Sequence, residues 1–158
     1  MKIPITLAAI VGAGFLSAAI PSAQAGPAPA SGCGSPGAVI VGTPANDILV
    51  GTPGDDVIRG LGGDDVIYGR GGNDKIVGGA GNDKLHGGAC ADKISGGDDN
   101  DRVWGGPGDD RMVGGDGRDR FWGEGGDDRI RGDAGFDRAR GGAGANFCDN
   151  TVETPVNC

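Results

Sequence analysis

The chain has 158 residues, enough for one ordinary domain. It holds 36 Gly and carries 22 acids against 14 Lys and Arg, a formal charge of −8. The acids are almost all Asp, which suits turns better than helices, and the negative balance excludes a nucleic-acid binder that relies on overall positive charge.

The first 25 residues read as a signal peptide. Lys2 precedes a small and apolar run from Ile3 to Ile20, and Ala23-Gln24-Ala25 has the spacing of a signal-peptidase site. Export by the general secretory route, to a secreted, extracellular bacterial location, is the expectation. Two alternatives are a retained membrane anchor and a lipid anchor on Cys33, from the lipobox-like Ala30-Ser31-Gly32-Cys33. Residues 26–41 follow as a linker that ends in a cap strand, Ala38-Val39-Ile40-Val41. Beyond residue 25, Val, Ile, Leu and Phe make up only about 17% of the chain, below the roughly 20% that marks chains unable to fold on apolar burial alone. A further source of stability is required.

From Gly42 to Asp149 the chain divides into twelve nine-residue units without an insertion. The first place is Gly in every unit. The fourth is Gly except at Ala45, Cys90 and Asp99, and the sixth is Asp except at Asn146. The eighth is apolar from Leu49 to Cys148. Gly at places one and four is expected to give the backbone φ > 0 for tight turns. Places seven to nine then form a three-residue strand whose middle side chain points inward. Two units make one coil, so residues 18 apart stack about 4.8 Å from one another. The fold class is all-β: a parallel β-roll, a β-helix-like solenoid of about six coils.

Stacking puts sixth-place carboxylates in columns that repel one another without a cation. Carboxylate and turn carbonyls together form a flexible cage of hard oxygens, which suits Ca²⁺ better than Mg²⁺. The units resemble the RTX (repeats-in-toxin, hemolysin-type calcium-binding) repeat G-G-x-G-x-D-x-U-x. That resemblance implies a β-roll with several Ca²⁺ held between same-side turns. It also implies the ligands Asp47, Asp56, Asp65, Asp74, Asp83, Asp92, Asp101, Asp110, Asp119, Asp128 and Asp137. Cys90-Ala91, Asp99 and Asn146 depart from the pattern and are expected to weaken the sites they fall in. No toxin or enzyme domain is expected beside the repeats.

At the end of the chain, residues 150–158 are expected to form a cap closed by a Cys148–Cys158 disulfide, with Cys33 and Cys90 left to pair or stay free. A Cys₄ zinc site lacks the C-x₂-C spacing it needs. Outward places carry a second pattern. Place seven is basic from Lys75 to Arg138, and place nine of alternate units reads Tyr68, His86, Trp104, Trp122, Arg140. The plain reading is a structural ladder; the other is a Ca²⁺-dependent adhesin or glycan-binding strip for an anionic glycan or cell-surface polymer. No nucleic acid, no membrane span and a monomer are expected. The single His and sparse Ser form no catalytic arrangement, and the repeat already explains the Asp residues, so no enzyme is expected.

Overall fold

The computed structural model describes residues 33–149 and 151–158; the expected leader lies outside them. Two seven-stranded parallel sheets face each other, joined by turns along both flanks. One sheet contains, in spatial order, β1 (Pro36–Val41), β3 (Asp55–Gly62), β5 (Lys75–Ala80), β7 (Lys93–Asp98), β9 (Arg111–Gly117), β11 (Arg129–Gly135) and β13 (Phe147–Cys148). The other runs from β2 (Ile48–Val50) through β4 (Val66–Gly71), β6 (Lys84–Ala89), β8 (Arg102–Pro107), β10 (Arg120–Gly125) and β12 (Asp137–Ala143) to β14 (Val152–Val156). Register holds at 18 residues: Ile58 pairs with Ile76, Phe121 with Val103 and Ala139. This is the parallel β-roll that the nine-residue period predicts.

Three details differ from the expectation. The roll has about seven turns, not six, because β1 and β14 extend the two sheets at opposite ends. Most strands are six to eight residues long, because pairing continues past place nine into the first three places of the next unit, as at Leu61 with Gly79. Glycine at place one has another purpose than turning. The left-handed positions are places two and four, occupied by Leu61, Arg70, Cys90, Asp99, Glu124 and Asp133 as well as glycines. At place one the constraint is space: a Cβ on Gly96 would lie 2.8 Å from the Gly114 carbonyl oxygen and overlap the Asp101 carboxylate.

The core is a file of eighth-place side chains: Ile58, Ile67, Ile76, Leu85, Ile94, Val103, Met112, Phe121, Ile130 and Ala139, all buried and contributed alternately by the two sheets. Leu49 and Cys148 end the file and are only partly buried, with Ile40 and Val152 packing beside it. A file one side chain wide has little apolar area per residue, which leaves the flanks to supply much of the cohesion.

Candidate metal centre

Sixth-place Asp residues form one column on each flank. Asp47, Asp65, Asp83, Asp101, Asp119 and Asp137 occupy one; Asp56, Asp74, Asp92, Asp110 and Asp128 occupy the other. Within a column the backbone N–H of each Asp donates to Oδ1 of the Asp 18 residues on, at 2.8–2.9 Å. The columns end on protein partners. Asp128 N–H donates to Asn146 Oδ1 at 3.0 Å, and Asp137 N–H donates to the Glu153 carboxylate. Cys90 and Asp99 adopt φ of 86° and 75°, so both hold the left-handed conformation of the fourth-place glycines, and the neighbouring Asp92 and Asp101 keep their 2.8 Å ladder bonds.

The second carboxylate oxygen separates the column residues into two classes. Asp65, Asp74, Asp83, Asp92, Asp101, Asp110, Asp119, Asp128 and Asp137 each bury Oδ2 with no hydrogen-bond partner. An unpartnered buried carboxylate oxygen costs several kcal/mol and calls for a compensating group. Asp47 and Asp56 differ: Thr43 N–H and Thr52 N–H each donate to their Oδ2 at 2.6 Å, and the threonine hydroxyls add bonds of 2.9 and 3.0 Å. The cause is local. Thr43 and Thr52 precede proline, which holds them in extended backbone, whereas place two of later units lies at positive φ. The first coil satisfies its own acids; the later coils do not.

Burial raises the orphaned carboxyls well above the ordinary carboxylate range. Asp92 and Asp101 reach about 8, Asp74 and Asp110 about 7, and Asp83 and Asp119 about 6, in each case chiefly through loss of solvation. Asp65, Asp128 and Asp137 shift the same way for the same reason. A nearby cation removes this penalty, because opposite charge favours the ionised form.

A second, outer ladder was missed by the sequence reading. At place five, Asn or Asp side chains accept from the backbone N–H one coil on: Asn73 N–H to Asp55, Asn82 N–H to Asp64, Asp127 N–H to Asp109, Arg118 N–H to Asn100. It points along the roll in the direction opposite to the inner ladder, so each gap between coils is clamped from both sides. Asp55 is half-buried and Asp64 exposed, and both are held below the ordinary range, by the N–H groups of Asn73 and Asn82 respectively. The signal was an Asn/Asp majority at place five, obscured by Ala91, Arg118, Phe136 and Ala145.

The orphaned oxygens fit calcium by their chemistry. They are hard and anionic, and at Gly60 the Asp65 Oδ2 and the Gly78 carbonyl oxygen border the same space that a Cβ would fill. The arrangement recurs at Gly78 with Asp83 and the Gly96 carbonyl, and at Gly114 with Asp119 and the Gly132 carbonyl. Among the described residues no three acidic, His or Cys side chains converge. The carboxylates stand in single file, so carbonyls would complete a coordination shell of six to eight oxygens.

The remaining features lie outside these columns. Tyr68, His86, Trp104 and Trp122 stack with centroids 4.9, 4.2 and 4.7 Å apart and planes within 13°. The faces of His86 and Trp104 are therefore covered by their neighbours, and Tyr68 and Trp122 each stack by one face. Burial between Tyr68 and Trp104 lowers the His86 pKa. Cys148 pairs with Cys158 and Cys33 with Cys90; a sulfur in a disulfide cannot carry a lipid, so the Cys33 lipid alternative fails here. No helix among the described residues is long and apolar enough to cross a membrane.

Comparison with known proteins agrees with the repeat. The sequence profile of the RTX calcium-binding nonapeptide repeat matches in four copies, over residues 41–76, 68–103, 104–139 and 122–150. No curated protein and no solved structure matches the chain.

Proposed function

Since the chain belongs to the RTX calcium-binding nonapeptide-repeat family, we propose that several Ca²⁺ ions, held along both flanks, drive closure of its roll. The ligands in this reading are Asp65, Asp74, Asp83, Asp92, Asp101, Asp110, Asp119, Asp128 and Asp137, together with turn carbonyls. Asp47 and Asp56, already satisfied by threonine, serve chiefly as a built-in cap. The observation that carries the reading is the row of nine buried carboxylate oxygens without a donor. Calcium supplies the positive charge that lets them remain ionised in a dry site. The protein's own residues fix the geometry: the ladder N–H groups orient each carboxylate, and place-one glycine keeps the adjoining space clear.

The role that follows is structural or interactive, not enzymatic. Two disulfides suit an oxidising, extracellular location, in keeping with a leader over residues 1–25. Calorimetric titration of metal-depleted protein tests the reading: several Ca²⁺ per chain are expected, and binding of one ion or none would defeat it.

A second reading is a Ca²⁺-dependent adhesin. Lys84, Arg102, Arg120 and Arg138 stack in register on one sheet, all exposed. The only ion pair among the described residues is Arg131 with Asp133. A cation column without direct ion-pair partners among the described residues favours an extended anionic glycan laid along the roll. Loss of binding to acidic polysaccharides in Arg102→Glu with Arg120→Glu would support it; unchanged binding, or none in the wild type, would remove it.

A further inference from the structure

The aromatic stack has one open end. Each inner ring is covered on both faces, and at the β4 end Tyr68 is followed by Val50, its partner in β2. At the other end Trp122 stacks on Trp104 by one face only. Its in-register neighbour in β12 is Arg140, and beyond that comes Val156 in β14. The guanidinium of Arg140 does not lie over the indole: the only cation–π contact among the described residues joins Arg118 and Phe136. The missing rung is a cavity of about 470 Å³ lined by Trp122, Arg120, Arg138, Arg140, Thr154 and Val156. Arg120, Arg138 and Arg140 have no acidic partner among the described residues.

A half-buried indole with one face unstacked, beside three uncompensated guanidinium groups, has the recognition chemistry of a flat ring bearing an anion. We propose that this cavity binds an aromatic carboxylate, sulfonate or phosphate, whose ring continues the stack as its next rung while its anionic group rests among Arg120, Arg138 and Arg140. Stacking on Trp122 supplies the ring selectivity. Arginine supplies a planar, forked donor set for the anion. The cavity is separate from the calcium columns, but its walls exist only in the closed roll.

The probe is naphthalene-2-sulfonate, titrated by calorimetry into the calcium-loaded protein after far-UV CD has shown the strand signal. Roll formation is thus read before any probe is added, so a roll that fails to form is distinguished from a cavity that fails to bind. One site per chain is expected. Cyclohexanesulfonate, which lacks the aromatic face, and naphthalene-2-methanol, which lacks the charge, should each bind at least tenfold more weakly. Arg140→Trp supplies the missing rung from the protein itself and should lower affinity at least tenfold. The double variant Arg138→Ala with Arg140→Ala should do the same by removing the anion's partners. Arg129→Ala, on the opposite sheet, should change nothing. Binding to the double variant as tight as to the wild type overturns the proposal, as does equal loss in Arg129→Ala or no binding by the wild type.

Discussion

Asp101 separates the two tasks of an inner-column carboxylate. Its Oδ1 accepts from Asp83 N–H at 2.8 Å, and its Oδ2 is buried without a partner. Asp101→Ala deletes both and leaves a buried N–H unsatisfied, a loss of about 1.5–3 kcal/mol for a hydrogen bond to a charged group. Asp101→Asn removes the charge and keeps an acceptor. The roll already contains this arrangement, because Asn146 accepts from Asp128 N–H at 3.0 Å. The amide therefore recovers about 1 kcal/mol of the bond, and what remains lost is the anionic oxygen offered to calcium. Asp109 in the outer ladder is the control: it is exposed, accepts from Asp127 N–H at 2.9 Å and has no orphaned buried oxygen. The assay is the calcium concentration at half-formation of the strand signal in far-UV CD. Asp101→Asn should raise this midpoint severalfold yet reach the full signal at saturating calcium. Asp101→Ala should raise it further, by about tenfold for each 1.4 kcal/mol lost, and Asp109→Asn should leave it nearly unchanged. Equal shifts for Asp101→Asn and Asp109→Asn would refute the assignment of calcium to the inner columns.

Acid should substitute in part for metal. In the metal-free roll burial raises Asp83 and Asp119 to about 6, Asp74 and Asp110 to about 7, and Asp92 and Asp101 to about 8, above their unfolded value of about 3.9. Their contribution to stability is therefore fully present below pH about 4 and lost as pH rises through 6 to 8. Metal-depleted protein should show more strand signal at pH 5 than at pH 8, and the reverse order would contradict the burial argument. The disulfides should differ by loop length: Cys33–Cys90 closes 57 residues of separation and Cys148–Cys158 closes 10. Loop entropy gives about 4 and about 3 kcal/mol respectively, so Cys33→Ala with Cys90→Ala should lower the calcium-loaded Tm more than Cys148→Ala with Cys158→Ala. Leu61, half-exposed at φ 86°, should be improved by Leu61→Gly by about 0.5–1 kcal/mol in urea unfolding.

The period and register of the roll were legible because they rest on side chains that have one physical option each. An inward place nine residues apart must be apolar, and a sixth-place carboxylate that reaches the preceding coil's N–H needs the short arm of Asp. What escaped the sequence depends on neighbours 18 residues away or on chain outside the repeat. Place-one glycine looks like a turn residue until the Gly114 carbonyl and the Asp101 carboxylate are seen beside Gly96. The distinction between Asp56 and Asp65 lies in whether Thr52 or Leu61 precedes it by four residues. β1 and β14 share no repeat, so the seventh turn had no periodic signal. The Cys33–Cys90 pairing spans 57 residues and joins the segment before β1 to the turn between β6 and β7, which cysteine spacing alone does not reveal.

The most direct measurement is far-UV CD and calorimetry on one sample of full-length, oxidised protein at pH 7.5, first metal-depleted and then titrated with calcium. Nine buried oxygens without donors predict little strand signal before calcium, then cooperative gain of the roll as several ions bind. A complete strand signal in excess chelator, unchanged by added calcium, would contradict the account.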